Sequence, residues 1–274
     1  LTIKNCDREI IISYGGRGAL LLMKLLNYTH NKRKIKFFVP GGDFLNIVKL
    51  KDIKYWSCFD EILVQSKYLM KELNKIGLCN VTYCPNFKSI KYRPKHNQYC
   101  LGNPLRFVYV GRLIEEKGIQ VMINACKKIN ENFILTIYGK ETMKYSKDFF
   151  RQLGDKRILY KGFLNLKKHD GYDELSSHDV LIFPTFFEGE GFSGTLIDAF
   201  ICGLPVIATD FNVNSEIVLD GVTGLIIPPN NVEALSSVMR KMINGEYNIN
   251  QMSACAYKSA NSFDIDIVMG QIFD

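Results

Sequence analysis

The chain has 274 residues, of which 47% are hydrophobic and 23% charged, with 18 Phe and 14 Tyr to fill buried cores. These are globular proportions with room for one large domain or two ordinary ones, and they exclude a disordered or fibrous chain. The formal net charge of +7 suits anionic ligands such as nucleotide diphosphates, or an anionic membrane surface; no nucleic-acid motif accompanies it.

In chain order, residues 9–14 form a short apolar run that predicts a strand. Gly15, Gly16, Arg17 and Gly18 follow as a turn; they do not complete a dinucleotide fingerprint, because Leu21 stands where the third glycine belongs. The Leu-rich stretch 19–28 predicts a helix. The basic run 31–36 reads as a solvated connection into a strand at 35–39, which Pro40, Gly41 and Gly42 stop. A third strand is expected at 61–64, a helix from 67 to about 76, and a fourth strand at 80–83 ended by Pro85. Strands alternating with helices imply parallel pairing, because a parallel return needs a crossover. Residues 1–84 then read as a first Rossmann-like domain, 85–104 as a linker with little apolar periodicity, and 105–274 as a second domain.

The second half repeats the alternation more clearly. Strands are expected at 107–110, 133–138, 158–160, 180–183, 206–209 and 225–228. Helices are expected from 119 to about 129, ending near 175–178, from 195 to about 202, and from 232 onward. The fully apolar strands predict a sheet buried on both faces.

None of the eight cysteines forms a CxxC pair, and they sit among apolar runs, as reduced structural thiols do. A cytoplasmic setting is the expectation. The four histidines are scattered without zinc spacing, so no metal site is expected, and His169 and His178 read as surface or packing residues. No stretch reaches about 18 uninterrupted apolar residues, so no membrane-spanning helix is expected.

In open parallel sheets, ligands collect beyond the carboxyl ends of the strands. The loop 111–118 leaves one such end and carries Arg112 and Lys117, a planar fork and a compact charge suited to a diphosphate. Gly111 and Gly118 allow close backbone approach. The alternative is that both bases form surface ion pairs with the adjacent Glu115 and Glu116. The loop 188–194 leaves another strand end, with three glycines around two glutamates just before a helix, which is a place for an anion. Glu190 and Asp198 lie eight residues apart; Asp198 interrupts an apolar run and must face water or a polar partner, or else complement the helix dipole.

These residues resemble the donor domain of family 4 retaining glycosyltransferases, the group 1 type with the GT-B fold. The resemblance runs through Val110, Gly111, Arg112 and Leu113 with Glu116, Lys117 and Gly118, then Lys161, Gly162 and Phe163. It continues through Glu188 to Phe192, Asp198 to Phe200, Gly203 to Thr209 and Gly221 to Leu225. It implies two Rossmann-like domains with parallel sheets facing a cleft. It also implies roles. Arg112, Lys117 and Glu190 would be catalytic, the first two on the donor diphosphate and Glu190 on hydroxyls of the donor sugar. Gly111 and the backbone of Gly191, Phe192, Ser193, Gly194 and Thr195 would cradle sugar and phosphate. Gly162 and Phe163 would lie against the base. Asp198 would bind the ribose where the family usually has Glu, one methylene longer.

The implied reaction is metal-independent transfer with retention, from a UDP-sugar in preference to a GDP-sugar, with no cofactor. The acceptor would be a glycan or lipid-linked sugar, in surface polysaccharide synthesis at the inner face of the membrane. The first half resembles the family's acceptor domain more loosely, through Gly41, Gly42 and residues 64–67, and reaches only about four strands from Leu1, so its N-terminal part is expected to be missing. The alternatives are a noncatalytic nucleotide-sugar-binding module, and another GT-B enzyme such as an epimerase or phosphorylase.

Overall fold

The computed structural model describes residues 10–13, 35–39, 44, 48, 53–95 and 98–273. The expected turn at 15–18, helix at 19–28, basic run before residue 35 and Pro40–Asp43 segment lie outside the described residues, as do Cys6, His30 and His96. The contacts divide the chain into one unit of residues 1–86 with 189–192, and a second of residues 87–188 with 193–274.

The first unit holds a four-stranded parallel sheet in the order β1 (Ile10–Ser13), β2 (Ile35–Phe38), β3 (Glu61–Val64), β4 (Val81–Tyr83). A short helix α1 (Ile53–Trp56), not anticipated from the sequence, delivers Trp56 to an aromatic core with Phe37, Phe44 and Phe59. Helix α2 (Lys67–Lys75) begins where Ser66 accepts a hydrogen bond from the Leu69 N–H at 3.0 Å, one of the donors that every helix start leaves without an intrahelical partner.

The second unit is built on six parallel strands: β5 (Leu105–Val110), β6 (Phe133–Tyr138), β7 (Ile158–Tyr160), β8 (Val180–Phe183), β9 (Val206–Thr209) and β10 (Gly224–Ile227). Their order across the sheet is β10-β9-β8-β5-β6-β7, and every pairing is parallel. Between the strands run a 3-10 turn (Glu115–Lys117), α3 (Ile119–Lys127), α4 (Lys147–Gln152), α5 (His169–Ser176), α6 (Gly194–Ile201) and α7 (Asn214–Ile217). Three helices close the chain, α8 (Val232–Ile243), α9 (Ile249–Ser259) and α10 (Ile265–Phe273). Helix α3 packs with α8, while α6 packs with α5 and α9. Covered by helices, β8 and β9 are buried at every position, as their unbroken apolar runs require.

Of residues 85–104, expected as a linker, Lys88, Ile90, Arg93 and Tyr99 are hydrogen-bonded within this unit. Lys88 bridges to Asp264, the Arg93 guanidinium donates to the Tyr257 carbonyl and Asn261, and Tyr99 exchanges two hydrogen bonds with Asn250. Cys84, Cys126 and Cys202 are buried as expected, but Cys58, Cys79 and Cys100 are exposed.

The β5–β8 pairing is fixed at its amino end by Asp179, which is 1% exposed. Its carboxylate accepts from the Arg106 backbone N–H at 2.8 Å, from Nε at 3.0 Å and from a terminal guanidinium nitrogen at 2.7 Å. Asp179→Ala should therefore lower stability by about 2 kcal/mol, the loss of hydrogen bonds to a charged group. Urea denaturation checks this, and a change below about 0.5 kcal/mol would refute the assignment.

Candidate functional site

From β5 the chain runs outward to β6 and β7, and then crosses to β8 and runs outward the other way to β9 and β10. Strand order therefore reverses between β5 and β8, the switch point beyond which open α/β sheets bind their ligands. The loops after β5 and β8 leave the same edge of the sheet there.

Those two loops are joined. The Phe186 N–H donates to the Glu116 carbonyl at 2.7 Å, and the Thr185 hydroxyl to the same oxygen at 3.4 Å. Gly118 closes the 3-10 turn at φ +77°, and an added Cβ would fall on the Pro184 carbonyl. Only glycine meets both demands. Asn212 donates from Nδ2 to the Phe187 and Glu188 carbonyls, holding the second loop from its far side.

This joint gathers the two cations. The Arg112 guanidinium lies 4.8 Å from the centre of the Phe187 ring, and the Lys117 ammonium 5.4 Å from the same ring and 5.6 Å from Phe183. Such contacts are each worth about 0.5–2 kcal/mol and leave the cation's charge intact. Lys117 is only 7% exposed. Of the neighbouring glutamates, Glu115 pairs with Lys144, and Glu116 holds the second loop through its carbonyl. Phe187, beneath both cations, was not singled out from the sequence, although its place just before Glu188 was a usable signal.

Beside Arg112 a cavity of about 510 Å³ opens, lined by residues 110–114, 138–142, 163 and 164. It sits over the carboxyl ends of β5 and β6 and the loop after β7. Gly139 lets the first two loops converge, since a Cβ there would strike the Gly111 carbonyl, and its N–H donates to the Gly162 carbonyl at 2.7 Å. Phe163 presents a 64% exposed ring to this cavity, with the Lys140 ammonium 5.6 Å from its centre.

Helix α6 begins at Gly194 after Ser193, with no side-chain cap on its first N–H groups. Those donors and the helix dipole make its start, with Thr195, receptive to an anion. Glu190, Gly191 and Phe192 belong to the segment whose contacts fall with the first unit. There Glu190 is half-buried, and the Phe192 carbonyl accepts from Asn86 Nδ2 at 2.9 Å.

Asp198 is 3% exposed and has found a polar partner, as its place in an apolar run required. One carboxylate oxygen accepts from the Lys88 ammonium at 2.5 Å and from the Tyr172 hydroxyl at 2.5 Å. Burial pushes the Asp198 carboxyl up, against the opposing pull of Lys88 and Tyr172. Burial and the nearby carboxylate both push the Tyr172 hydroxyl up, so it remains a donor. Lys88 lies 110 residues away, beyond the reach of any local sequence pattern. His178 is a buried packing residue held to the Leu175 carbonyl, and burial lowers its pKa; His169 stacks on Tyr92 at 3.9 Å. Among the described residues no cluster of potential ligands could hold a metal ion, and no helix is long and apolar enough to cross a membrane.

The sequence profile of the glycosyl transferases group 1 matches residues 93–260, more than half of the chain, and the chain belongs to that family. An uncharacterized glycosyltransferase of Methanocaldococcus jannaschii is 29% identical over 194 residues, 68% of this chain and 50% of that protein. The amylovoran biosynthesis glycosyltransferase AmsK of Erwinia amylovora is 28% identical over 184 residues, 64% of this chain and 44% of that protein. The chain thus spans about half the length of the curated relatives it matches. Among solved structures, Anabaena HepE in complex with UDP has a TM-score of 0.78 at 16% identity, over 96% of this chain and 77% of that one. The parallel α/β architecture described above is that of the GT-B glycosyltransferases.

Because Lys88 neutralises a buried carboxylate, Lys88→Met should destabilise the protein by about 3 kcal/mol at neutral pH. The deficit should shrink as pH falls, because a protonated Asp198 needs no cation. Denaturation midpoints at neutral and at mildly acidic pH measure this, and a deficit independent of pH would show that the lysine acts by packing alone.

Proposed function

We propose that the protein transfers a sugar from a nucleotide-diphosphate sugar, a UDP-sugar in preference to a GDP-sugar, to a glycan or lipid-linked acceptor, with retention. The observation that carries this reading is the pair of cations, Arg112 and Lys117, gathered over Phe187 at the switch point beside the 510 Å³ cavity. Its relatives support it, since HepE was solved with UDP and AmsK is an amylovoran biosynthesis glycosyltransferase. Surface polysaccharide synthesis at the cytoplasmic side of a membrane is the setting we propose.

In this reading the base occupies the cavity against Gly162 and Phe163, and Gly111 gives the diphosphate close access to the loop backbone. Arg112 and Lys117 neutralise the diphosphate as it departs, a role that in other transferases falls to a metal. The start of α6 from Ser193 to Thr195, with the backbone of Gly191 and Phe192, adds N–H donors to the phosphate and sugar. Glu190 accepts hydrogen bonds from donor-sugar hydroxyls. The anomeric carbon–oxygen bond breaks toward the leaving diphosphate. The acceptor oxygen bonds to the same face of that carbon, and its proton passes to a phosphate oxygen. No side chain need act as nucleophile.

Asp198 would contact the ribose. Its Oδ1 already accepts from Lys88 and Tyr172, so a ribose hydroxyl would donate to Oδ2. A second reading is a module that binds nucleotide sugar without transfer, which the shorter Asp198 in place of the family's Glu favours; donor binding with no product on any acceptor would establish it.

Calorimetric titration with UDP and GDP tests the donor site. UDP should bind the more tightly, and Arg112→Ala should weaken it by about tenfold or more, the loss of one charged hydrogen-bonding group. If folded protein binds neither nucleotide, or if Arg112→Ala binds UDP as well as the unsubstituted chain, the donor-site reading fails. In a transfer assay, Lys117→Ala should lower kcat by about 10²–10³ with less change in KM, because the diphosphate's charge grows toward the transition state.

A further inference from the structure

A second cavity, of about 320 Å³, lies in the C-terminal unit and shares no lining residue with the first. Lys88, Lys91, Lys167 and Lys168 line it, with the stacked rings of Tyr92 and His169 as a wall. None of its lining side chains is acidic. Lys88 is neutralised by Asp198, which leaves three exposed ammonium groups around the cavity without a paired carboxylate among the described residues. A sphere of this volume is roughly 8 Å across, about one Debye length at physiological salt, so these charges act together.

The fold adds to the imbalance. Helix α5 starts at this cavity, with Lys168 as its N-cap residue and no side-chain cap. The start of a helix carries partial positive charge and favours acids, so lysines at 167 and 168 are placed against the dipole. The acid in the first turn, Asp170, lies outside the cavity lining and turns its carboxylate to the Gly171 N–H at 3.1 Å. The Tyr92 hydroxyl is held by Asp173, which fixes the aromatic wall while that carboxylate too lies outside the lining. Three ammonium groups, a helix start and an aromatic wall border one concavity, an arrangement that an anion would neutralise.

We propose that this cavity is a second anion site, distinct from the donor cavity, that takes a phosphoryl group. Lysines act as point charges and do not impose a planar fork, which suits a tetrahedral phosphate more than a carboxylate. The phosphoryl group could belong to a lipid headgroup or to a free phosphate compound. The inference does not rest on the donor-site reading.

The test uses inorganic pyrophosphate by calorimetry, and co-sedimentation with phosphatidylcholine vesicles with and without phosphatidylglycerol. Both are run with UDP saturating, or in its absence if UDP does not bind. The comparison is with a triple variant, Lys91→Gln, Lys167→Gln and Lys168→Gln; these side chains are exposed, and a thermal melt confirms that the fold is kept. The unsubstituted chain should bind at least one probe, the variant should bind it about tenfold or more weakly, and affinity for UDP should not change. Binding to phosphatidylglycerol vesicles alone would assign a lipid headgroup, and binding to pyrophosphate as well would assign the phosphoryl group itself. The proposal is overturned if the unsubstituted chain binds neither probe, if the folded variant binds equally well, or if the variant loses UDP affinity in parallel.

Discussion

Within the C-terminal unit, β5 is bordered by two strands that the chain reaches on separate excursions, β6 on one side and β8 on the other. Both pair with it in parallel, so all three end on one edge of the sheet. Because parallel crossovers are right-handed, excursions in opposite directions place their helices on opposite faces, and the loops part above the β5–β8 junction. The site residues of this unit follow from that constraint. Arg112 and Lys117 come off β5, Phe187 comes off β8, and glycines at 111, 118 and 139 thin the backbone where the loops converge.

The same strand pair is clamped at both ends by different means. At the amino end, Asp179 takes three hydrogen bonds from Arg106, a charged clamp that is buried on one side only. At the carboxyl end the clamp is backbone, from Phe186 to Glu116. The Phe187 ring lies against both cations at that end. Asp198 shows a different solution: a carboxylate sunk among apolar residues is kept ionisable by Lys88 and Tyr172, at the expense of free acceptor capacity on Oδ1.

Much of this was legible in the sequence for one physical reason. A strand covered on both faces must be largely apolar, so 61–64, 133–138, 180–183 and 206–209 stand out as runs and match the observed strands. Short helices carry no such mark: α1 and α7 have four residues and α4 six, too few for a 3.6-residue period to declare itself. The polar stretch after Pro85 reads as a linker because its order comes from hydrogen bonds to α9 and α10 rather than from apolar periodicity. The cations of the site were visible because they sit within eight residues of a strand end. Their aromatic seat was local but unremarked, and the partner of Asp198 was out of reach because the fold alone brings residues 88 and 198 together.

Gly118 has a mechanical meaning as well as a conformational one. Its hydrogen stands where any side chain would meet Pro184, while Glu116 and Phe186 are bonded across the same seam. The loop that carries the cations and the loop that carries Phe187 are therefore one stiff lever. A shift of the backbone at Glu116 is passed through that bond to Phe186 and so to the neighbouring Phe187.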